Sequence, residues 1–478
     1  MNKQSPQLRR VLGFSDLSFF LIAALVNLNS VPVVAGAGPV ALVLWIAGFF
    51  LFFIPQAIAV LEFSKRSPHE GGIYIWNKKA WGDFHGFISG WAYWVNNIFY
   101  IPTLLFYIIG FILYIGGGKI AVLATNPIFM MSVSLALLWI ITYLNIRGFS
   151  VGKWIQNLGA SGTFIIAGTI LTIAVITLIN RGASNEISIK AIIPSLGNWQ
   201  FLSLLSIVML NYVGLELGSV IADEVKNPDR NIPRAIIVAI TSTVLLYVLV
   251  TMSLLISMPF KEIGIIEGIL QGIEKASTAI GFGWIVFPVA ILMIMNAAGN
   301  TSAWLSGAAR IPFVIGIDKY LPSALGTVHP KHNTPHIALI VQGIASSVVI
   351  VIAAIGASVG DMYLFLLQTT VILQLIPYVY MFASLLKIHS TYDNEGFFKG
   401  TKITLIAGFL GGGMSIFGIA FAFVPTESIS SIFLYELKLV LSCIGFIVPA
   451  LIFYYLNYQK VQQKESNESE VVVKKVSI

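Results

Sequence analysis

The sequence predicts an all-α membrane protein of twelve transmembrane helices, arranged as two inverted five-helix repeats and two additional helices. Three observations predict it. Of 478 residues, 57% are hydrophobic and only 10% charged, where a soluble domain has roughly 25% charged residues. Apolar runs of about 20 residues, each enough to cross ~30 Å of hydrocarbon, recur from end to end. The basic residues are also sided. With the N-terminus placed inside, only Lys119, Arg181, Lys190, Lys261, Lys275 and Lys438 fall outside, and the other 22 of 28 fall inside. This bias follows the positive-inside rule and places both termini in the cytoplasm. The net charge of +7 therefore reports topology and implies no nucleic-acid partner.

The flanking charges fix each span in turn. Span one, about 12–34, follows Lys3, Arg9 and Arg10 on the inner side. Span two, 40–63, returns to Lys65 and Arg66. Span three, 84–115, leaves from Lys78 and Lys79, and span four, 127–146, ends at Arg147. Span five, 155–180, runs from Lys153 out to Arg181. Span six, 200–224, comes back to Lys226 and Arg230, and span seven, 235–258, starts beyond Arg234. Span eight, 284–310, ends at Arg310. Spans nine and ten, 336–356 and 361–386, lie between Lys331 and Lys387, and spans eleven and twelve, 402–424 and 433–457, between Lys402 and Lys460.

The chain divides into a cytoplasmic segment 1–11, a transmembrane domain 12–458 and a disordered cytoplasmic tail 459–478. Repeat one covers about 12–180, repeat two about 200–386, and the extra helices about 402–457. Between spans seven and eight, Glu262 to Ala279 reads as an amphipathic surface helix. The start of the chain has the outline of a signal peptide up to Ala35-Gly36-Ala37, but cleavage there would remove span one. Cys443 is the single cysteine, so no intramolecular disulfide or cysteine metal cluster can form.

Two spans stop being hydrophobic halfway across. In span one the interruption is Asn27-Leu28-Asn29-Ser30 before Pro32; in span six it is Asn211-Tyr212-Val213-Gly214-Leu215-Glu216. A helix in lipid must satisfy its own backbone, so broken spans persist only where they face protein, water or a ligand. Paired interruptions in the two halves of a many-span protein point to a carrier's binding site. Freed backbone groups at Asn27, Asn29 and Ser30 could hold a carboxylate and an ammonium against helix-end dipoles; a proline kink with polar side chains bonding neighbouring helices is the alternative.

Glu216 is the only carboxylate deep inside a central span. A charge there costs about 2.5–3.5 kcal/mol on insertion scales, so it needs a partner or a purpose, which could be gating, proton binding or neutralising a substrate amine. A protonated, structural glutamate is the alternative. Span three carries Tyr93, Trp94, Asn96 and Asn97; span eight Asn300, Thr301, Ser302 and Trp304; span ten Gln368, Thr369, Thr370 and Gln374. Packing is the ordinary account of such aromatics. His329, His332 and His336 have metal-like spacing, but Pro330 and Pro335 interrupt any helix that would align them, and a solvated loop is expected. No cofactor fingerprint and no catalytic set is found.

Several segments together resemble the amino acid–polyamine–organocation transporters. They are Leu61-Glu62-Phe63-Ser64-Lys65-Arg66-Ser67-Pro68-His69-Glu70-Gly71-Gly72-Ile73-Tyr74 after span two, and Asn145-Ile146-Arg147-Gly148 with Gln156 around the span 4–5 loop. The third is Tyr212-Val213-Gly214-Leu215-Glu216, followed by Glu224-Val225-Lys226-Asn227-Pro228, Arg230, Pro233 and Arg234. The resemblance covers about 10–390. It implies the LeuT-type inverted-repeat fold and a cell-membrane permease, not an enzyme, for an amino acid or related amine.

Set beside arginine/agmatine-type antiporters, Glu216 matches a span-six glutamate, and Tyr93 and Tyr378 match tyrosines that close the pathway with it. Trp304, Thr370 and Asn97 match pocket positions, and Leu210, Val213 and Gly214 fall on the span-six pocket wall. Leu210 stands where those antiporters stack a tryptophan on substrate, and their span-three pocket asparagine falls at Ile101. The first two spans are more similar to the glutamate/GABA antiporter and polyamine-uptake branches. Span five lacks the lysine that some relatives use as a proton site; proton coupling, sodium coupling and exchange stay open, as do a monomer and a homodimer. An amino-acid sensor without turnover is the reading from another class.

Overall fold

The computed structural model describes residues 10–476 except 67–70, 118–119, 121, 194–199, 266, 319, 354–358, 392–395, 399–400 and 425–431. It is helical throughout; among the described residues the β-type pairing is one isolated bridge, Leu12 to Val225. Within the same residues nine helices are long and apolar enough to cross a membrane. Three shorter apolar helices, Phe14–Leu25, Leu202–Asn211 and His336–Ile352, lie on the expected spans one, six and nine.

The first span is interrupted where its sequence turns polar. Helix α1 (Phe14–Leu25) starts with the Asp16 carboxylate accepting the Gly13 N–H at 3.3 Å, which satisfies a donor that helix geometry leaves free. It stops at Leu25, and Asn27 is outside helical geometry (φ −96°, ψ 86°). A single 3-10 turn, Leu28–Ser30, leads into α2 (Val31–Ala35). Pro32 lies in the first turn of α2, where its missing N–H costs nothing.

Span two is α3, Val40–Arg66, and contains a π turn at Phe49–Phe53. Pro55 lies two residues past that turn, and a proline cannot donate to the carbonyl one turn back. The turn therefore widens where the regular ladder would fail. Helix α4 (Gly72–Trp81) is joined to α5 (Asp83–Gly116) through Gly82 at φ 89°, a left-handed position that favours glycine. Helix α6 (Pro127–Ile146) is capped by Asn126, whose Oδ1 accepts the N–H groups of Ile128 and Phe129 at 3.0 and 3.2 Å. Helix α7 (Phe149–Arg181) follows.

The sixth span is likewise divided. Helix α8 (Gln200–Asn211) ends, Tyr212 to Glu216 are non-helical, and α9 (Leu217–Val220) is one short turn. Gly214 at φ +131° takes a conformation that other residues rarely adopt. Helix α10 (Pro228–Ser257) is followed by the surface helix α11 (Gly268–Ala279), then by α12 (Val286–Ala308) and α13 (Arg310–Ile317). The amphipathic segment thus begins at Gly268, six residues later than expected, because Phe260–Glu262 form a separate 3-10 turn. The remaining helices are α14 (His336–Ala353), α15 (Val359–Thr391), α16 (Ile403–Ala422) and α17 (Ile432–Val476). Helix α17 continues into the stretch 459–478 read as a disordered tail, where side chains lie outside the described residues; so do residues 1–9 of the N-terminal segment.

Burial sorts centre from rim. Of the most apolar stretch of α5, 78% is buried, against 17% for α17, so α5 runs through the middle and α17 lies at the rim. Helices α7 and α12 cross closely: a Cβ added to Gly299 would meet the Gly159 Cα and the Ile155 carbonyl, each at 3.1 Å. Arg310 and Glu224 form a buried ion pair, with Arg310 Nε to Glu224 Oε1 at 2.7 Å. The Glu224 carbonyl also accepts the N–H groups of Val11 and Leu12 at 3.0 Å, and Lys226 N–H returns to the Leu12 carbonyl at 2.9 Å. The ends of spans six and eight and the start of span one are thereby tied together.

Candidate functional site

The two interruptions face each other at the centre of the bundle. One hydroxyl joins them: Tyr247, on α10, accepts the Asn27 N–H at 3.0 Å and lies 2.7 Å from the Leu25 carbonyl and 3.2 Å from that of Asn211. Trp45 of α3 stacks on its ring at 4.3 Å between centroids. The carbonyls that end α1 are met by α12. Asn300 donates to the Ala23 and Ala24 carbonyls at 2.8 and 3.0 Å, Trp304 Nε1 to Ala24 at 2.9 Å, and Asn296 to Val26 at 3.4 Å. Side chains of span eight thus take the place of the missing helical turn. Each carbonyl keeps a second lone pair.

A small cavity lies between the breaks, lined by Ala24, Leu25 and Asn27 of span one, Asn96 and Tyr100 of span three, and Leu210, Asn211 and Val213 of span six. Trp304 of span eight and Thr370 and Gln374 of span ten complete it. Its free space is about 10 Å³, room for about one water; the walls must part before anything larger can enter. The Trp304 ring packs edge-on against Tyr100 at 5.6 Å and tilted against Tyr93 at 6.2 Å.

Beside this cavity Glu216 is fully buried and, among the described residues, its carboxylate is met by donors. The Tyr93 hydroxyl donates to Oε1 at 2.8 Å, the Tyr378 hydroxyl to Oε2, and Gln56 Nε2 to Oε2 at 3.2 Å. An all-donor shell is what an acceptor-only carboxylate calls for. Charge-assisted hydrogen bonds contribute about 1.5–3 kcal/mol each, enough for two of them to offset a mid-membrane charge of about 2.5–3.5 kcal/mol. The Tyr378 oxygen also accepts Gln56 Nε2 at 2.9 Å and the Gly214 N–H at 3.3 Å. Spans two, three, six and ten meet at this one carboxylate.

Of the residues singled out from sequence, Asn27, Leu210, Val213, Trp304 and Thr370 line the cavity, and Tyr93, Glu216 and Tyr378 share one network. Gly214 lies next to both; a Cβ there would come within 3.3 Å of the Trp304 ring. Ser30 is buried in the 3-10 turn, away from the cavity lining, and Asn97 is buried with its amide donating to its own helix at Tyr93 O, 2.9 Å. The Asn29 side chain lies outside the described residues. Sequence reading missed Gln56, Tyr100 and Tyr247. Their only signal is a polar atom in an otherwise apolar span. His329, His332 and His336 do come together, with ring centroids 4.7 and 5.0 Å from His329, through the loop rather than a helix.

A polytopic bundle with two broken helices around a buried polar chamber defines a membrane permease. Residues 12–449 match the family model described as amino acid permease, and the chain belongs to that family, within the amino acid–polyamine–organocation superfamily. An uncharacterized transporter of Legionella pneumophila is 26% identical over 92% of this chain and 95% of its own length. A probable agmatine/putrescine antiporter of Lactococcus lactis is 23% identical over 77% of this chain and 79% of its own length, and a glutamate/gamma-aminobutyrate antiporter of the same species 24% over 85% and 82%. The family is one of transporters rather than enzymes, and the protein is a multi-pass membrane protein.

Proposed function

We propose that the protein is a secondary active transporter that moves an amino acid or related amine across the cell membrane by alternating access. In this reading twelve spans form two inverted repeats of LeuT type plus two helices, with both termini cytoplasmic. The substrate sits between the interruptions of spans one and six. Trp304 and Thr370 wall it, and Glu216, Tyr93 and Tyr378, joined by Gln56, close the inner side. The observation that carries the reading is the meeting of two interrupted helices at one polar cavity, the arrangement expected where backbone groups serve a ligand.

The test is uptake by the purified protein in liposomes, with a panel of labelled amino acids and amines. Saturable uptake is expected. Glu216→Gln replaces a two-oxygen acceptor that meets three donors by an amide with one oxygen, so Tyr93, Tyr378 and Gln56 must re-orient around it, and should slow initial uptake at least tenfold. Wild-type rates and an unchanged pH profile in that variant would remove Glu216 from the closing network. Saturable binding without flux would make the protein a sensor. The names of two relatives favour exchange as the mode of coupling; liposomes preloaded with substrate should then take up label faster than empty ones, and equal rates would exclude exchange.

A further inference from the structure

The cavity has polar walls but no charge. Beside the Trp304 N–H, which is turned to the Ala24 carbonyl, its polar side chains are Asn27, Asn96, Asn211, Gln374, Tyr100 and Thr370. Some of these are committed to protein. The Thr370 hydroxyl donates to Leu366 O at 2.7 Å and the Asn211 amide to Ile207 O at 2.7 Å, each within its own helix. Tyr100 is held between Asn27 and Asn300. Glu216, the one carboxylate nearby, has both oxygens taken by Tyr93, Tyr378 and Gln56.

Asn96 and Gln374 differ. The Asn96 amide donates to Gln374 Oε1, which leaves Asn96 Oδ1 and Gln374 Nε2 buried without a partner among the described residues. Turning both amides round exchanges the roles and still leaves one acceptor and one donor. Asn27 Oδ1 is a further buried acceptor without a partner. Unmet buried polar groups are costly, and native proteins leave few of them without a reason. A donor and an acceptor side by side match a group that carries both.

Resting on the transporter reading, we infer that the substrate is a net-neutral, zwitterionic amino acid with a carboxamide or hydroxyl side chain, and that Asn96 and Gln374 recognise that side chain. A second positive or negative charge would enter a cavity with nothing to pair it, so diamines and acidic amino acids are poor fits. This sets the chain apart from the agmatine, putrescine and glutamate in the names of its antiporter relatives, and from the net-neutral gamma-aminobutyrate only in the polar side chain.

The test uses the full-length protein in liposomes, with labelled glutamine, asparagine, serine, leucine, glutamate, arginine and putrescine at equal concentration. The carboxamide and hydroxyl amino acids should be taken up roughly tenfold or more faster than leucine, since a site built to hydrogen-bond a side chain rejects an analogue that lacks it. The charged compounds should be slower still. Gln374→Leu should raise the KM for glutamine about tenfold while leucine uptake holds or rises, a split that general damage to the fold would not give. Should that variant fail to fold, stabilisation of the wild-type protein against heating by glutamine, and not by glutamate or putrescine, carries the same decision. Preference for glutamate, arginine or putrescine overturns the inference and leaves the transporter reading standing. Glutamine binding without flux supports the recognition site and removes transport. Neither binding nor flux with any probe removes both.

Discussion

Removing one oxygen from Tyr247 would take its hydroxyl from the Leu25 and Asn211 carbonyls and from the Asn27 N–H, which would keep only its 3.1 Å bond to the Leu25 carbonyl. Each buried group so exposed costs about 1–3 kcal/mol, and the ring would still stack on Trp45. Tyr247→Phe should therefore lower the melting temperature of the purified protein by several degrees and slow uptake. An unchanged melting curve would show that the hydroxyl does not hold the breaks. Glu216 was legible in the sequence because a lone carboxylate in an apolar span demands an explanation. Tyr247 and Gln56 were not, because a polar atom in such a span has two outlets. Thr370 and Asn211 turn back to their own helices, whereas Gln56 and Asn27 reach across to others. Only the packing decides between these outlets.

Helix α12 can approach α7 only because Gly159 and Gly299 face each other at the crossing, the use of small residues expected where helices associate in lipid. Gly299→Val should overpack this contact and destabilise the protein by about 1–3 kcal/mol, with Gly299→Ala milder. Thermal unfolding in detergent measures both, and a valine variant as stable as wild type would mean that the helices part freely. Helices were the easiest elements to read. Each apolar run falls on a described helix, and the two polar interruptions fall on two real breaks. The π turn at Phe49–Phe53 left no trace in hydropathy, since all five residues are apolar; Pro55 was its only mark. The late start of α11 was equally hidden, because the residues before Gly268 share its alternation of apolar and acidic side chains while their backbone turns elsewhere.

At the scale of the molecule, the Arg310–Glu224 pair ties the ends of spans six and eight. Arg310→Ala would strand a buried carboxylate at a cost of about 3–5 kcal/mol, whereas Arg310→Met with Glu224→Leu would restore much of that stability. Melting temperatures of the single and double variants distinguish the two; equal losses in both would mean that the pair is not electrostatically coupled. The sidedness of the chain rests on its lysines and arginines and is checked chemically. In a Cys443→Ser background, a membrane-impermeant maleimide added to intact cells should label Lys190→Cys and not Lys331→Cys, and the reverse pattern would invert the topology. Side chains of span eight finish the first helix from positions up to 280 residues further along the chain. At 5–20 residues per second, synthesis takes roughly 14–56 s to cover that distance. Span one therefore waits that long for the side chains that finish its helix, and a truncated product ending before Asn296 would strand it half-finished in the bilayer, an obvious mark for quality-control proteolysis.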